Sequence, residues 1–338
     1  NGISVYDGNS FTHYLENVEI ISSTATEKSG CLWFGTTGDE VFKYDGTDFT
    51  KYSENEGLHG KWIESILEDS AENIWISTSN KGVTKFEQNS FQYFPKNNEI
   101  SIIDPGPVAE SENGDLWFNS TKGLTKYDGK CFFQFEDAKG LNPNDIIALL
   151  ATKDGSIWLG TDHGSVLKFD GATFTEIYKA DSTSVYNQIF SLYEDSSGNI
   201  WIGTWGTGLI KFKGDTLFKY SKPNGSLVFQ GISSITEDRD HNLWFGSPYG
   251  ITKYDGKSFI IFGEKEGVGH NTPMITSMLN DKDGNLWFTS VEGGLCKYNG
   301  KEFTYFSEKE GLSDSKTYAI SEDKQGVIWV TLVYGFSS

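Results

Sequence analysis

A tryptophan recurs through the chain at a nearly constant interval, and this period constrains the fold more than any other feature. The steps between successive tryptophans are 42, 42, 41, 43, 43, 43 and 42 residues in a chain of 338. The recurring positions are Trp33, Trp75, Trp117, Trp158, Trp201, Trp244, Trp287 and Trp329. A period of about 40 to 45 residues is typical of a β-propeller, in which each period forms one blade.

Each period contains four short strand patterns, which we name A to D. Strand A is an apolar segment such as Ile146–Leu150, and strand B surrounds the tryptophan with further apolar residues. An acidic, glycine-containing turn such as 281–284 joins A to B, as in a β-hairpin. Strand C follows a short glycine loop, as in Gly250–Tyr254, and strand D carries paired aromatic residues after an Asp-Gly turn. Four antiparallel strands make one propeller blade.

The two ends of the chain complement each other. Residues 1–14 match only strands C and D, whereas residues 315–338 supply strands A and B. We therefore predict an all-β fold, an eight-bladed β-propeller with four antiparallel strands in each blade and a ring closed by a blade split between the termini. Such closure removes exposed sheet edges. Seven blades plus an extra unit is the alternative, and in either case residues 1–338 are expected to form a single domain.

Charge and composition exclude several classes of partner. The net charge of -19 argues against nucleic acid, which requires a basic footprint. Arg239 is the only arginine and lies in a turn between strands, so two-pronged recognition of an anionic ligand is not favoured. No apolar run approaches the ~18 residues of a membrane-spanning helix, so no membrane insertion is expected. The cysteines Cys31, Cys131 and Cys296 have no metal or disulfide spacing.

The repeats resemble a known family. Segments 281–288 and 297–300, with the connector 308–313, are similar to the two-component regulator propeller repeat. The resemblance implies an extracytoplasmic sensor, because arrays of these repeats form the periplasmic part of hybrid histidine kinases that respond to oligosaccharides. Those sensors have tandem seven-bladed propellers, whereas this chain has eight repeats and also resembles stand-alone secreted proteins of the family. A periplasmic, extracellular or cell-surface location is expected. The start of the chain in mid-repeat without Met fits either a processed secreted protein or a segment cut from a longer chain.

The acidic turns before the tryptophans recur in most blades, which favours a role in stabilising the hairpin. Calcium binding is the alternative, but the turns offer no fixed set of ligands, so no cofactor is expected. The strand-C lysines recur in the same way and are expected to be structural, with packed stems and solvated heads.

Residues that break the repeat are the candidates for a binding site. In propellers the B–C loops and the connectors from strand D to the next strand A share the face on which ligands usually bind. The repeat-breaking residues there are aromatic, amide-bearing or imidazole side chains: Trp205, Tyr249, Trp62, Tyr186, His163, His270, Asn144 and Tyr334. Aromatic rings stack on sugar faces and amides bond to hydroxyl groups, so this set favours a neutral oligosaccharide. The alternative is that Trp62 and Trp205 merely pack against neighbouring loops.

Three functions remain open at this point. The sequence favours a non-catalytic, ligand-binding or sensing propeller that recognises a neutral oligosaccharide. A carbohydrate-active lyase or hydrolase is the second hypothesis, although no local motif joins a base to a charge-stabilising partner. A scaffold that holds a protein partner is the third. The sequence does not determine the oligomeric state.

Overall fold

The repeats form strands throughout the part of the chain that the structure covers. The computed structural model describes residues 2–16, 18, 20–78, 81–95, 108–120, 123–135, 145–180, 187–220, 231–263, 268, 274–291 and 293–332. These residues form eight four-stranded antiparallel sheets, and no α-helix occurs within the described ranges. The prediction of an all-β, eight-bladed propeller is therefore confirmed. None of the described segments is a helix long and apolar enough to cross a membrane.

The strands follow the predicted A-to-D order in every blade, and we number the blades from the first complete one. Strands at the start of the chain are β1 (Gly2–Tyr6) and β2 (Phe11–Tyr14). Blades 1 and 2 contain β3 (Ile20–Thr26), β4 (Leu32–Thr36), β5 (Val41–Tyr44), β6 (Phe49–Tyr52), β7 (Ile63–Glu68), β8 (Ile74–Thr78), β9 (Gly82–Glu87) and β10 (Ser90–Pro95). Blades 3 and 4 contain β11 (Val108–Glu110), β12 (Leu116–Ser120), β13 (Gly123–Tyr127), β14 (Phe132–Phe135), β15 (Ile146–Ala151), β16 (Ile157–Thr161), β17 (Ser165–Phe169) and β18 (Phe174–Lys179).

The second half of the chain repeats the pattern. Blades 5 and 6 contain β19 (Ile189–Glu194), β20 (Ile200–Thr204), β21 (Leu209–Lys213), β22 (Thr216–Tyr220), β23 (Ser234–Glu237), β24 (Leu243–Ser247), β25 (Gly250–Tyr254) and β26 (Phe259–Phe262). Blade 7 contains β27 (Ile275–Asn280), β28 (Leu286–Ser290), β29 (Gly294–Tyr298) and β30 (Phe303–Phe306), and the last strands are β31 (Thr317–Glu322) and β32 (Ile328–Leu332).

One sheet is assembled from both ends of the chain, as predicted. Its strand order is β2-β1-β32-β31, and Val5 pairs with Trp329 across the junction. This sheet is blade 8. Ser4 Oγ lies 3.1 Å from Ser313 Oγ, so a polar contact accompanies the strand pairing.

By their internal contacts the residues form two compact units. Unit 1 comprises Asn1–Asn17, Gly160–Val166 and Glu176–Ser338, and unit 2 comprises Val18–Leu159 and Leu167–Thr175. In unit 2 the ring of Trp33 packs 5.6 Å from Tyr52 of its own blade and 5.0 Å from Phe86 of the next. In unit 1 the ring of Trp287 lies 5.8 Å from Phe306 and 6.0 Å from Tyr6 of blade 8. In these blades the repeated tryptophan thus packs against the following blade.

The acidic turn and the strand-C lysine both contact this tryptophan. In blade 5 the indole Nε1 of Trp201 donates to Asp195 Oδ2 at 2.8 Å, and the same bond recurs from Trp287 to Asp281 at 2.7 Å. On the ring face, Lys211 Nζ lies 4.8 Å from the Trp201 centroid. Equivalent lysines cover the tryptophan in the other complete blades: Lys43, Lys85, Lys126, Lys168, Lys253 and Lys297. These residues therefore have structural roles, through hydrogen bonding and cation–π contact.

The turns of neighbouring blades are also fastened to each other. The carboxylate of Glu322, in strand A of blade 8, accepts the backbone N–H of Lys282 at 2.9 Å, and Glu68 accepts that of Lys28 at 2.8 Å. A long cation at the same turn often reaches the next blade: Lys28 Nζ donates to Ser70 O at 3.2 Å, and Arg239 Nη2 donates to Asp281 O at 3.2 Å. The single arginine therefore holds two blades together.

Candidate functional site

The B–C loops and D–A connectors of unit 1 lie against one another. The N–H of Ala180 donates to Gly164 O at 2.9 Å, Trp205 N–H donates to Gln188 O at 3.0 Å, and Gly231 N–H donates to Trp205 O at 2.9 Å. The contacts join residues 161–165, 187–190, 204–208, 231–232 and 247–250, which we call the loop strip. As predicted from propeller topology, loops and connectors share one face here.

Neighbouring residues of the loop strip pack against the ring of Trp205. Its ring lies 5.4 Å from that of Phe190, centroid to centroid. A Cβ on Gly231 would lie 3.2 Å from Cε3 of Trp205 and 2.9 Å from Cδ of Pro248, so the indole rests directly over that glycine. Gly231 has φ 69°, a conformation that glycine adopts without strain. The Trp205 side chain is half-buried, so part of it packs and part faces solvent.

Phe190 is a member of this site that the sequence did not identify. The pairing of β19 with β20 slips between Ile189 and Ser191, which makes Phe190 the extra residue of a β-bulge. A bulge re-aims the side chain that it inserts. Phe190 is 37% exposed, although the neighbouring Ile189 is fully buried. Strand periodicity assigns Phe190 to the sheet, and only the register of the pairing reveals its exposure.

Tyr249 extends the aromatic surface to blade 6. It is 45% exposed, and its N–H donates to Ser247 Oγ at 3.1 Å. The following Gly250 has φ 128°, and a Cβ there would lie 2.4 Å from Phe262 O, so only glycine closes this loop. Because Tyr249 directly follows Pro248, which lies against the Gly231 position, the loop strip continues from Trp205 to the Tyr249 loop.

His163 lies at the other end of the loop strip. Its side chain is 74% exposed, and its Nδ1 lies 3.4 Å from Asp162 Oδ1. A Cβ on Gly164 would lie 2.8 Å from Cβ of Asn187, so the His163 loop touches the connector that carries Asn187 and Gln188. The structure thus places three predicted residues, His163, Trp205 and Tyr249, on loops that contact a common run of connectors.

Trp62 belongs to unit 2 and is described by itself. Its side chain is 60% exposed, the highest among the exposed large apolar residues of the described ranges. It has φ 54°, and its N–H donates to Gly38 O at 2.8 Å. Met274 has a similar φ of 58° and, like Trp62, directly precedes a buried isoleucine. In both blades a residue in the left-handed conformation therefore directly precedes strand A. At Trp62 this conformation leaves a large ring in solvent.

The remaining predicted residues, Asn144, Tyr186, His270 and Tyr334, lie outside the described residues.

The loop strip offers neutral chemistry. It combines the rings of Phe190, Trp205 and Tyr249 with the amides of Asn187 and Gln188. Its sequence contains one carboxylate, Asp162, and one imidazole, and neither lysine nor arginine. Apolar rings beside a few polar groups are typical of sites that bind uncharged small molecules.

A family model matches this chain over residues 140–163, 184–206, 226–249 and 269–292, and its description is two component regulator propeller. Four stretches of the chain thus match the two-component regulator propeller repeat. The resemblance predicted from the sequence is therefore confirmed over these stretches. Each matched stretch begins in a D–A connector and ends in a B–C loop, so six of the eight predicted residues, all but Trp62 and Tyr334, lie within them.

A curated relative and a solved structure are also similar to this chain. Histidine kinase P4 of Formosa agariphila is 27% identical over an alignment of 177 residues, which covers 47% of this chain and 13% of the kinase. The extracellular domain of a hybrid two-component system from B. thetaiotaomicron matches with a TM-score of 0.56 and 20% identity, covering 94% of this chain and 50% of that domain. This chain thus spans a small part of the kinase and half of the solved domain.

The propeller fold also occurs in unrelated functional settings. A catalytically inactive variant of virginiamycin B lyase from Staphylococcus aureus, solved with quinupristin, matches with a TM-score of 0.59 at 16% identity and covers 85% of this chain and 96% of the lyase. At this identity the likeness shows the fold alone.

Proposed function

We propose that this chain is a ligand-sensing propeller that works outside the cytoplasm and binds a neutral oligosaccharide on the loop strip. The observation that carries the proposal is a group of three rings on loops that contact one another: Phe190 and Tyr249 are exposed, and Trp205 is half-buried. Exposed apolar surface of this kind marks interaction sites in soluble proteins. The repeats support the sensing role, because they are those of two-component regulators.

The chemistry of the loop strip favours sugar over other ligands. A pyranose ring presents a face of C–H groups, which packs on an aromatic ring, and an edge of hydroxyl groups, which bond to amides. The rings at Trp205 and Tyr249 provide the first kind of contact, and Asn187 and Gln188 provide the second. A charged ligand would find no arginine or lysine in this strip.

The extracytoplasmic location rests on the relatives. The solved domain from B. thetaiotaomicron is described as extracellular, and the match covers 94% of the present chain. In a two-component system a propeller outside the membrane senses the ligand.

The test is calorimetric titration of the chain with a panel of neutral oligosaccharides, in parallel with the variants W205A and Y249A. Removing a central aromatic anchor is expected to cost about 2 kcal/mol, which weakens binding about 30-fold. F218A is the matched control, because Phe218 is 44% exposed on strand D of blade 5 and lies outside the loop strip. F218A is expected to bind as the parent chain does.

Three outcomes separate the hypotheses. Binding that is lost in W205A and Y249A but kept in F218A, with the sugar recovered intact, supports the proposal. Binding to none of the oligosaccharides contradicts it. Recovery of cleaved sugar would instead identify a carbohydrate-active enzyme.

A further inference from the structure

A second concave site lies at the opposite ends of the strands, between the turns of blades 5 and 6. It has a volume of about 360 Å³ and lies wholly within unit 1. Its lining includes Ser196, Lys211, Lys213, His241 and Tyr254. We call it the turn cavity. It is separate from the loop strip, because A–B and C–D turns lie at the end of a blade away from the B–C loops.

At the turn beside this cavity blade 5 has a short residue, as blade 2 does with Ser70, whereas several other blades have a long cation. Lys28, Arg239 and Lys282 each stand five residues before their tryptophan and donate to a carbonyl of the next blade. The equivalent residue of blade 5 is Ser196. Its hydroxyl and N–H both donate to Glu237.

The charge of the cavity departs from the repeat at Lys213. In the other complete blades the residue two positions after the strand-C lysine is acidic or an amide: Asp45, Glu87, Asp128, Asp170, Asp255 and Asn299. Most of these residues accept the backbone N–H groups of their own C–D turn, as Asp255 does from Lys257 and Ser258. Blade 5 reverses the charge at this position, so a structural acceptor has been replaced by a cation.

Lys211 adds a second cation, and it forms no ion pair with a carboxylate among the described residues. Lys126 and Lys168, its equivalents in blades 3 and 4, form ion pairs of 3.1 Å with Asp115 and Asp154. Blade 5 has Asn199 and Ser197 at the positions of those two acids. The Lys211 ammonium is instead held 4.8 Å from the Trp201 ring and 5.9 Å from the Tyr254 ring.

The two carboxylates of the cavity, Asp195 and Glu237, accept hydrogen bonds from protein groups. Asp195 accepts the indole N–H of Trp201 at 2.8 Å and both N–H groups of Asn199. Glu237 accepts Ser196 N–H at 2.7 Å, and its Oε1 lies 2.8 Å from His241 Nδ1. His241 has φ 61° where most other blades have a glycine in this turn, so a strained residue places an imidazole at the cavity.

We propose that the turn cavity binds a small oxyanion: the carboxylate, phosphate or sulfate group of a solute or an acidic sugar. Lys211 and Lys213, which form no ion pair among the described residues, and the imidazole of His241 supply charge-assisted hydrogen bonds to such a group. The net charge of the chain is -19, so this affinity comes from the local arrangement and not from the general field of the protein.

The experiment is calorimetric titration with inorganic phosphate, sulfate and glucuronate at constant ionic strength. K213D and H241G restore the residue types that the repeat has elsewhere, so both variants are expected to fold. Each is expected to weaken oxyanion binding at least about tenfold. K301D is the matched control, because it makes the same charge change in the C–D turn of blade 7 and should alter binding less than about twofold.

The proposal is overturned if none of the three anions binds at millimolar concentration, or if K301D weakens binding as much as K213D does. W205A separates this site from the loop strip, because it should leave oxyanion binding unchanged. The three titrants distinguish the sources: preference for glucuronate indicates a sugar acid, and preference for phosphate or sulfate indicates an inorganic or esterified anion.

Discussion

The backbone N–H of Trp205 donates to the carbonyl oxygen of Gln188 at 3.0 Å. This bond fixes the loop that bears the indole to the connector that bears the amide, so the aromatic and polar groups of the loop strip are set relative to one another before any ligand arrives. Gly231 holds Trp205 from the other side. The indole ring packs against its Cα, and its N–H donates to Trp205 O. Such pre-organisation reduces the ordering cost of binding.

The packing of Trp205 on Gly231 predicts that two glycine-to-alanine substitutions lower the free energy of unfolding by different amounts. Gly231 and Gly214 both have positive φ, 69° and 58°, but only a Cβ on Gly231 would meet neighbouring atoms. G214A is expected to lower the free energy of unfolding by about 1 kcal/mol through backbone strain. G231A should lower it by about 1 to 3 kcal/mol more, because Pro248 and Trp205 must move.

Urea unfolding of both variants measures the difference, and tryptophan fluorescence reports the displacement of the ring. Equal destabilisation by the two substitutions would show that the indole does not rest on Gly231.

The acidic turns predict how stability depends on pH. Burial acts to raise the pKa of Asp281, but the hydrogen bonds from Asn285 and Trp287 outweigh it, and the pKa lies below its ordinary value. In the unfolded chain the pKa of an aspartate carboxyl is about 3.9. The stabilisation by Asp281 is therefore fully present above that pH, and it is lost as the pH falls through the lower pKa of the folded state. D281N should therefore lower the free energy of unfolding by about 1 kcal/mol at neutral pH, with a smaller difference near pH 3.

Denaturant unfolding between pH 3 and pH 7 tests this expectation. D283N is the control, because Asp283 is exposed in the same turn and leaves the bond to Trp287 intact. A D281N penalty that grows towards low pH would contradict the assignment.

The three cysteines are expected to react at different rates with a thiol reagent. Cys131 is exposed and should be modified first. Cys296 is 2% exposed, and burial raises the pKa of its thiol, so both access and thiolate formation are suppressed. Mass spectrometry of the native chain should find Cys296 modified only after denaturant is added. Rapid modification of Cys296 in the native chain would show that blade 7 opens readily.

The sequence period was sufficient to predict the blades, their strand order and the blade shared by the two ends. It succeeds because each blade depends on the same local bonds, such as Trp287 Nε1 to Asp281, which recur with their residues. The candidate residues Trp62, Trp205 and Tyr249 are at least partly exposed, as expected of residues that break the repeat. Their role in binding stays a prediction.

Two features were beyond the sequence pattern. Phe190 is exposed because of a slip in strand pairing, which depends on the partner strand and not on the residue itself. The turn cavity lies between the turns of two blades, which only the packing places side by side. Lys213 was visible as a reversed charge, but its meaning needed the neighbouring Lys211 and His241 to be placed beside it.

The pairing of β1 with β32 also determines the order in which the molecule is completed. Within this chain β1 is synthesised before the other strands, yet its partner residues Ile328–Leu332 are made more than 300 residues later. Until then the first strand has an unpaired edge, which favours aggregation or pairing with another chain. Loop closure over so long a separation is slow, so formation of blade 8 is expected to be the last and slowest step of folding.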